Sequence, residues 1–283
     1  MPPPTRKPPM VLLFDIGGVC VVSPFQAILD YERSKGIPEG YINWTISQSG
    51  PQGSWARLER GELVCDQVFY KAWHADLTNE KRWREYHARH LAKQHNLKSS
   101  QGAEEAAYQA PPLPEIDAEA LHNEMMSIAR QLDPHMGPAL KKLRQHADRS
   151  NGRLILGALS NTSIFPLGHK LYDGATKDGK ASSALAGIFD VFISSAHIGM
   201  RKPHEEAYQY AITRLHEFVK TKDYRDGVRA EDITFLDDIG QNLRTARKLG
   251  MNTIKVNLGR ADLAVKELEK ITGFDLSSDM ARL

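Results

Sequence analysis

Two adjacent carboxylates, Asp237 and Asp238, close the apolar run Ile233–Leu236. Acids at the end of a buried strand are costly unless something binds them. A Mg²⁺ ion, which takes hard oxygen ligands and keeps several waters, is the natural partner. Asp15 ends a second apolar run, Val11–Phe14, and is followed by Gly17 and Gly18. An aspartate so placed can attack phosphorus and carry it as an aspartyl phosphate, and glycines let the backbone approach a ligand closely. A cap or turn is the commoner use of a single aspartate. Ser160-Asn161-Thr162 follows the run Leu154–Leu159. A hydroxyl and backbone N–H groups there can hold a phosphoryl oxygen at a helix N-terminus, or they can simply cap that helix. Lys202 stands in Gly199-Met-Arg-Lys-Pro203. It can neutralise a substrate phosphate and the nucleophile, although most lysines are solvated. Pro203 reads as the first residue of the following helix.

These residues need a scaffold that brings four chain segments together. Five short apolar runs read as buried parallel strands: Val11–Phe14, Leu154–Leu159, Val191–Ile193, Ile233–Leu236 and Thr253–Val256. Helical stretches, His204–Phe218 and Gln241–Leu249, separate the later ones, and Gly250 supplies a helix stop. Strand–helix alternation of this kind predicts an α/β fold, a doubly wound parallel sheet. Ligands of such sheets bind beyond the carboxyl ends of the strands, where all four segments end.

Only one strand precedes residue 150. Residues 25–135 show no strand pattern, and amphipathic stretches such as Trp55–Glu62 and Glu80–Lys93 predict helices. The expected organisation is a tail over 1–9, a core domain made of 10–24 and 136–283, and a helical cap domain over 25–135. Ser99–Glu115 and Gly174–Gly187 read as exposed loops.

The bulk numbers exclude several classes. The 283 residues carry a net charge of +2, with 37 Lys+Arg against 35 Asp+Glu. That balance argues against a general nucleic-acid or membrane-surface binder. Two cysteines make no disulfide framework and fit a reducing, cytoplasmic setting. There is no run of 18 apolar residues to span a membrane.

In order, an aspartate, a serine, a Lys-Pro and an Asp-Asp, each at a strand end, resemble the four motifs of the haloacid dehalogenase superfamily. Phe189–Ile193 with Gly199–Pro203, Phe235–Met251 and Ala264–Gly273 resemble the phosphatase domain at the N-terminus of soluble epoxide hydrolases. Phe14–Val19, Gly36–Gly40 and Gly53–Arg57 resemble the N-terminal domain of acyl-CoA dehydrogenase family member 10. The likeness spans nearly the whole chain and includes no epoxide-opening domain and no dehydrogenase domain. It implies a hydrolase of a small phosphorylated metabolite, with Mg²⁺ as cofactor and no nucleic-acid or membrane partner; a homodimer is allowed. Asp15 would be nucleophile and metal ligand, the Gly17 carbonyl a second ligand and Asp238 the direct carboxylate ligand. Asp237 would orient ligand waters. Ser160 and the Asn161 backbone would hold the phosphoryl group, with Lys202 balancing charge. Arg57 and Trp55 are candidates for cap residues facing the site, core packing or a surface ion pair being their commoner fates.

One position departs from the family. Most of its phosphatases carry a general-acid aspartate two residues after the nucleophile, where this chain has Gly17. Loss of a general acid costs about 10²–10⁴ in rate. A good leaving group or a proton from elsewhere would make up for it. A 2-haloacid dehalogenase would not need the proton, but it would leave the Asp237-Asp238 pair without a purpose. A weakly catalytic phospho-ligand-binding protein is the remaining alternative.

Overall fold

The computed structural model describes residues 9–94, 110–169, 185 and 187–277. Five parallel strands form one sheet: β1 (Met10–Phe14), β2 (Leu154–Ser160), β3 (Val191–Ser194), β4 (Ile233–Asp237) and β5 (Asn252–Lys255). Their spatial order is β3-β2-β1-β4-β5, so β1 lies at the centre with β2 and β4 on either side. All five expected strands are present, within a residue or two at their ends. β2 is buried along its whole length, the reason it reads as an unbroken apolar run rather than an alternation.

Between β1 and β2 lie α1 (Pro24–Lys35), α2 (Tyr41–Gln48), α3 (Ser54–Glu59), α4 (Gln67–Leu77), α5 (Glu80–Gln94), α6 (Ala118–Ile128) and α7 (Met136–Arg149). After β3 come α8 (Ser195–Ile198) and α9 (Glu205–Lys220), then α10 (Gly240–Lys248) between β4 and β5, and α11 (Ala261–Thr272). Successive side chains of a strand face opposite ways, and β1 feeds two cores. Leu12 and Phe14 pack with Leu140 and Leu143 of α7 and Val265 and Leu268 of α11. Val11 and Leu13 pack with Tyr208 and Leu215 of α9 and Leu243 of α10. A third core joins α1, α2, α4 and α6 through Ile28, Tyr41, Phe69, Trp73 and Leu121. The helices expected within 25–135 are therefore present and have their own apolar interior.

Two helix boundaries differ from expectation. The helix expected over Trp55–Glu62 stops at Glu59, and Gly61 turns with φ +70°. A Cβ at Gly61 would lie 2.1 Å from the Ala196 carbonyl oxygen, so the chain leaves the helix where it abuts α8. Pro203 does not open α9: His204 is still extended and acts as its N-cap, and the helix starts at Glu205. The tail (save Pro9), the first loop up to residue 109 and most of the second fall outside the described residues. No described helix is long and apolar enough to cross a membrane.

Candidate active site

The carboxyl ends of the two central strands bring Asp15, Asp237 and Asp238 together. One carboxylate oxygen of each lies within 4.8 Å of the others. Lys202 reaches them from the loop between α8 and α9. Its Nζ is 2.8 Å from Asp15 Oδ1 and 2.8 Å from Asp237 Oδ2. This lysine is 1% exposed, not the solvated side chain that most lysines are. Its stem lies over the Phe235 ring, 5.4 Å from Nζ to the centroid. Burial alone would strip its proton, but Asp15 and Asp237 more than offset that and hold its pKa above the ordinary lysine value.

Each acid has a different environment. Asp15 Oδ1 accepts the Ile16 N–H at 2.6 Å as well as Lys202. Burial pushes its pKa well up; Lys202 opposes this, and Asp237 and Asp238 add to it. Asp237 is saturated. Its Oδ1 accepts from Ile239 N–H at 2.7 Å and Asn242 Nδ2 at 3.1 Å. Its Oδ2 accepts from Lys202 and from Asn242 Nδ2 at 3.0 Å. Two donors per oxygen use the lone pairs a carboxylate offers. Asp238 is the opposite case: its Oδ1 is buried with no partner. Burial, followed by repulsion from Asp237, raises its pKa to about 6.

Three carboxylates against one ammonium leave a formal charge of −2 in this pocket. One divalent cation would cancel it, and Asp238 Oδ1 is an acceptor awaiting a donor or a cation. The residues present therefore fit a hard divalent metal. Gly18 belongs to this fit. It has φ +76°, and a Cβ there would sit 2.6 Å from Asp238 Oδ2. Gly17 is unlike it: a Cβ would meet only Pro24, at 3.4 Å.

Ser160 closes β2 and is buried, its Oγ donating weakly to the Asn161 carbonyl at 3.3 Å. The expected helix after it is absent, since residues 161–166 have no regular structure. Asn161 is occupied through its side chain. Oδ1 accepts the Lys202 N–H at 2.9 Å and Nδ2 donates to the Lys202 carbonyl at 3.0 Å. The amide thus clamps the backbone of the lysine. Arg57 is not drawn into this network; it pairs with Glu62 at 3.4 Å on a half-exposed surface. Trp55 packs on Phe69 and Trp73 in the third core.

Three residues of the network were not singled out from the sequence. Asn242 sits five residues beyond Asp237, where the first turn of α10 folds its amide back onto both carboxylate oxygens. Arg201 is the neighbour of Lys202 and pairs with Glu59, Nε to Oε2 2.5 Å. Glu59 lies four residues from Trp55 on the same helical face and accepts its Nε1–H at 3.0 Å. Asn242 was within reach of spacing arguments; the Glu59–Arg201 pairing joins segments too far apart in the chain for any.

No protein-family model matches the chain. It is 26% identical over 269 residues to acyl-CoA dehydrogenase family member 10 of Mus musculus, covering 94% of this chain and 19% of that protein. It is 25% identical over 269 residues to bifunctional epoxide hydrolase 2 of Sus scrofa, covering 93% of this chain and 39% of that protein. The chain thus spans about a fifth and two fifths of the lengths of these relatives. A crystal structure of a dehalogenase with an intermediate complex superposes with a TM-score of 0.52 at 19% identity, covering 95% of this chain and all of that one. With its central β1, its parallel order and the strand-end residues gathered on one edge, the chain has the haloacid dehalogenase-like hydrolase fold.

Proposed function

We propose that the chain is a Mg²⁺-dependent hydrolase that removes phosphate from a small phosphorylated metabolite. The observation that carries this reading is Lys202 held between Asp15 and Asp237 beside an Asp238 oxygen that has no partner. Asp15 and Asp238, with the Gly17 carbonyl, would hold the ion, and Asp237, its lone pairs committed to Lys202, Ile239 and Asn242, would fix Lys202 rather than order the ion's waters. The bound ion would neutralise charge on the transferring phosphoryl group. Asp15 attacks phosphorus with its free oxygen, forming an O–P bond as the ester O–P bond breaks. Lys202 steadies the charge on Asp15 and on the incoming phosphate. Ser160 Oγ, at the carboxyl end of the strand paired with β1, would receive a phosphoryl oxygen. Water then cleaves the aspartyl phosphate and returns Asp15. Helices α1–α6 act as a cap over this edge, in a domain division of 25–135 against the rest.

One relative supports this reading by name: enolase-phosphatase E1 of Erwinia tasmaniensis, at 28% identity over 149 residues. The test is hydrolysis of p-nitrophenyl phosphate with and without Mg²⁺, followed by borohydride trapping during turnover. Reduction of Asp15 to homoserine, which an acyl phosphate allows and a free carboxylate does not, is the expected result; an Asp15 left unreduced while turnover proceeds overturns the covalent step. One observation favours a second reading. Gly17 offers no acid, and a halide leaves without a proton, so a dehalogenase would not miss it. Release of halide from 2-haloacids without Mg²⁺ would establish that alternative.

A further inference from the structure

Glu59, the last residue of α3, touches three separate pieces of the core with one side chain and one carbonyl. Its Oε2 is 2.5 Å from Arg201 Nε and accepts from Asn161 Nδ2 at 3.4 Å. Its backbone carbonyl accepts the Ser195 hydroxyl at 2.6 Å. Its Oε1 is anchored to its own helix through Trp55. The contact is well shielded, the side chains of Glu59 and Arg201 being 13% and 22% exposed. An exposed pair would contribute little; this one sits where the cap meets the sheet edge.

What Glu59 grips is as telling as the grip itself. Asn161 clamps the Lys202 backbone from both sides, and Arg201 is bonded to Lys202 in the chain. Both handles on Lys202 are therefore held by the same carboxylate. Close approach is built in next door, where Gly61 lies against the Ala196 carbonyl with no room for a Cβ.

We propose that Glu59 is a positioning residue of the active site: by tying α3 to Asn161 and Arg201, it aims the Lys202 ammonium at Asp15 when the cap is seated. Cap closure and the charge geometry around the nucleophile are then one event. The inference rests on the hydrolase reading for its kinetic consequence, but its structural core does not need it.

The experiment uses the full chain and the variants E59Q, E59D and R201K. With p-nitrophenyl phosphate and Mg²⁺, E59Q should lower kcat by about 10–100-fold, the usual cost of losing a partner that orients a reacting group. KM should stay within about threefold, because the lost interaction acts in the transition state. E59D should recover part of the loss. The Mg²⁺-induced rise in Tm should persist, since no proposed ligand is altered. A fall in Tm with kcat unchanged would make Glu59 a structural staple and overturn the proposal. A loss confined to alkyl phosphates, with aryl phosphates untouched, would make it a proton donor and also overturn it. If the variants do not fold, hydrogen exchange on the wild type decides. Vanadate with Mg²⁺ should protect amides of 57–62 and 195–202 together, and independent protection would refute the coupling. A wild type that hydrolyses no phosphate ester would sink the hydrolase reading, while the exchange measurement still tests the coupling.

Discussion

Asp238→Asn is the perturbation with the most calculable outcome. In the metal-free protein the Asp238 carboxyl is raised from 3.8 to about 6, by burial first and Asp237 second. A raised acid binds its proton more tightly in the folded state. Below about pH 4 both states hold the proton and nothing is lost; stability then falls as pH rises to about 6 and stays lower above it. Two pKa units correspond to about 3 kcal/mol. Since the residue is only partly buried, about 2–3 kcal/mol is the fair figure. Replacing the carboxylate with a neutral amide removes that penalty. The metal-free variant should therefore melt about 3–5 °C higher than wild type near pH 7.5, and the gap should close toward about pH 4. With Mg²⁺ the gap closes, and at about a thousandfold excess over Kd, where the gain is about 4.1 kcal/mol, the order reverses. Wild type gains about 2.7 kcal/mol at a hundredfold excess over Kd, and the variant, without its open oxygen, gains almost nothing. Differential scanning calorimetry at two pH values, with EDTA and with Mg²⁺, reads all four states. A variant that melts lower than wild type in EDTA, or that keeps the Mg²⁺ shift, would refute the reasoning.

Asp15→Asn should abolish hydrolysis of an activated aryl phosphate while circular dichroism stays unchanged; residual turnover above about one part in 10³ would point to another nucleophile. Gly17→Asp should fold, because the new Cβ meets only Pro24 at 3.4 Å. It should speed alkyl phosphates far more than aryl phosphates, by up to about 10²–10⁴; equal gains for both, in a variant that still binds Mg²⁺, would mean the position supplies no proton. Lys202→Met removes the only cation bonded to Asp15 and Asp237 among the described residues and should cost about 3–5 kcal/mol. A urea melt matching wild type would show that both carboxyls are protonated in the metal-free protein.

The strands were legible because burial on both faces leaves nothing but apolar residues, and β2 is the clearest instance. The strand-end acids were legible for the converse reason, that charge after such a run demands a partner. Asp15, Lys202, Asp237 and Asp238 do meet. Helix ends were less readable. α3 stops early because Gly61 must lie against Ala196, a tertiary contact with no local mark. His204, not Pro203, turned out to bound α9. Asn161 was read for its backbone, whereas its amide is spent on Lys202. Glu59, two residues from Arg57 on the same helix, carries no mark in the sequence, because nothing nearby announces a partner as distant as Arg201.

Gly17 and Gly18 look alike in the sequence and differ in what the fold asks of them. Gly18 is bound to its identity twice over, by a left-handed φ and by Asp238 at 2.6 Å from where a Cβ would be. Gly17 is under neither constraint. In the genetic code a glycine codon ending in a pyrimidine is a single base from aspartate, so an acid at position 17 is both one mutation away and sterically admissible. The chain therefore sits beside a differently armed version of itself with neither a backbone nor a Cβ clash between them, and a substrate change that rewarded leaving-group protonation could be met in one step.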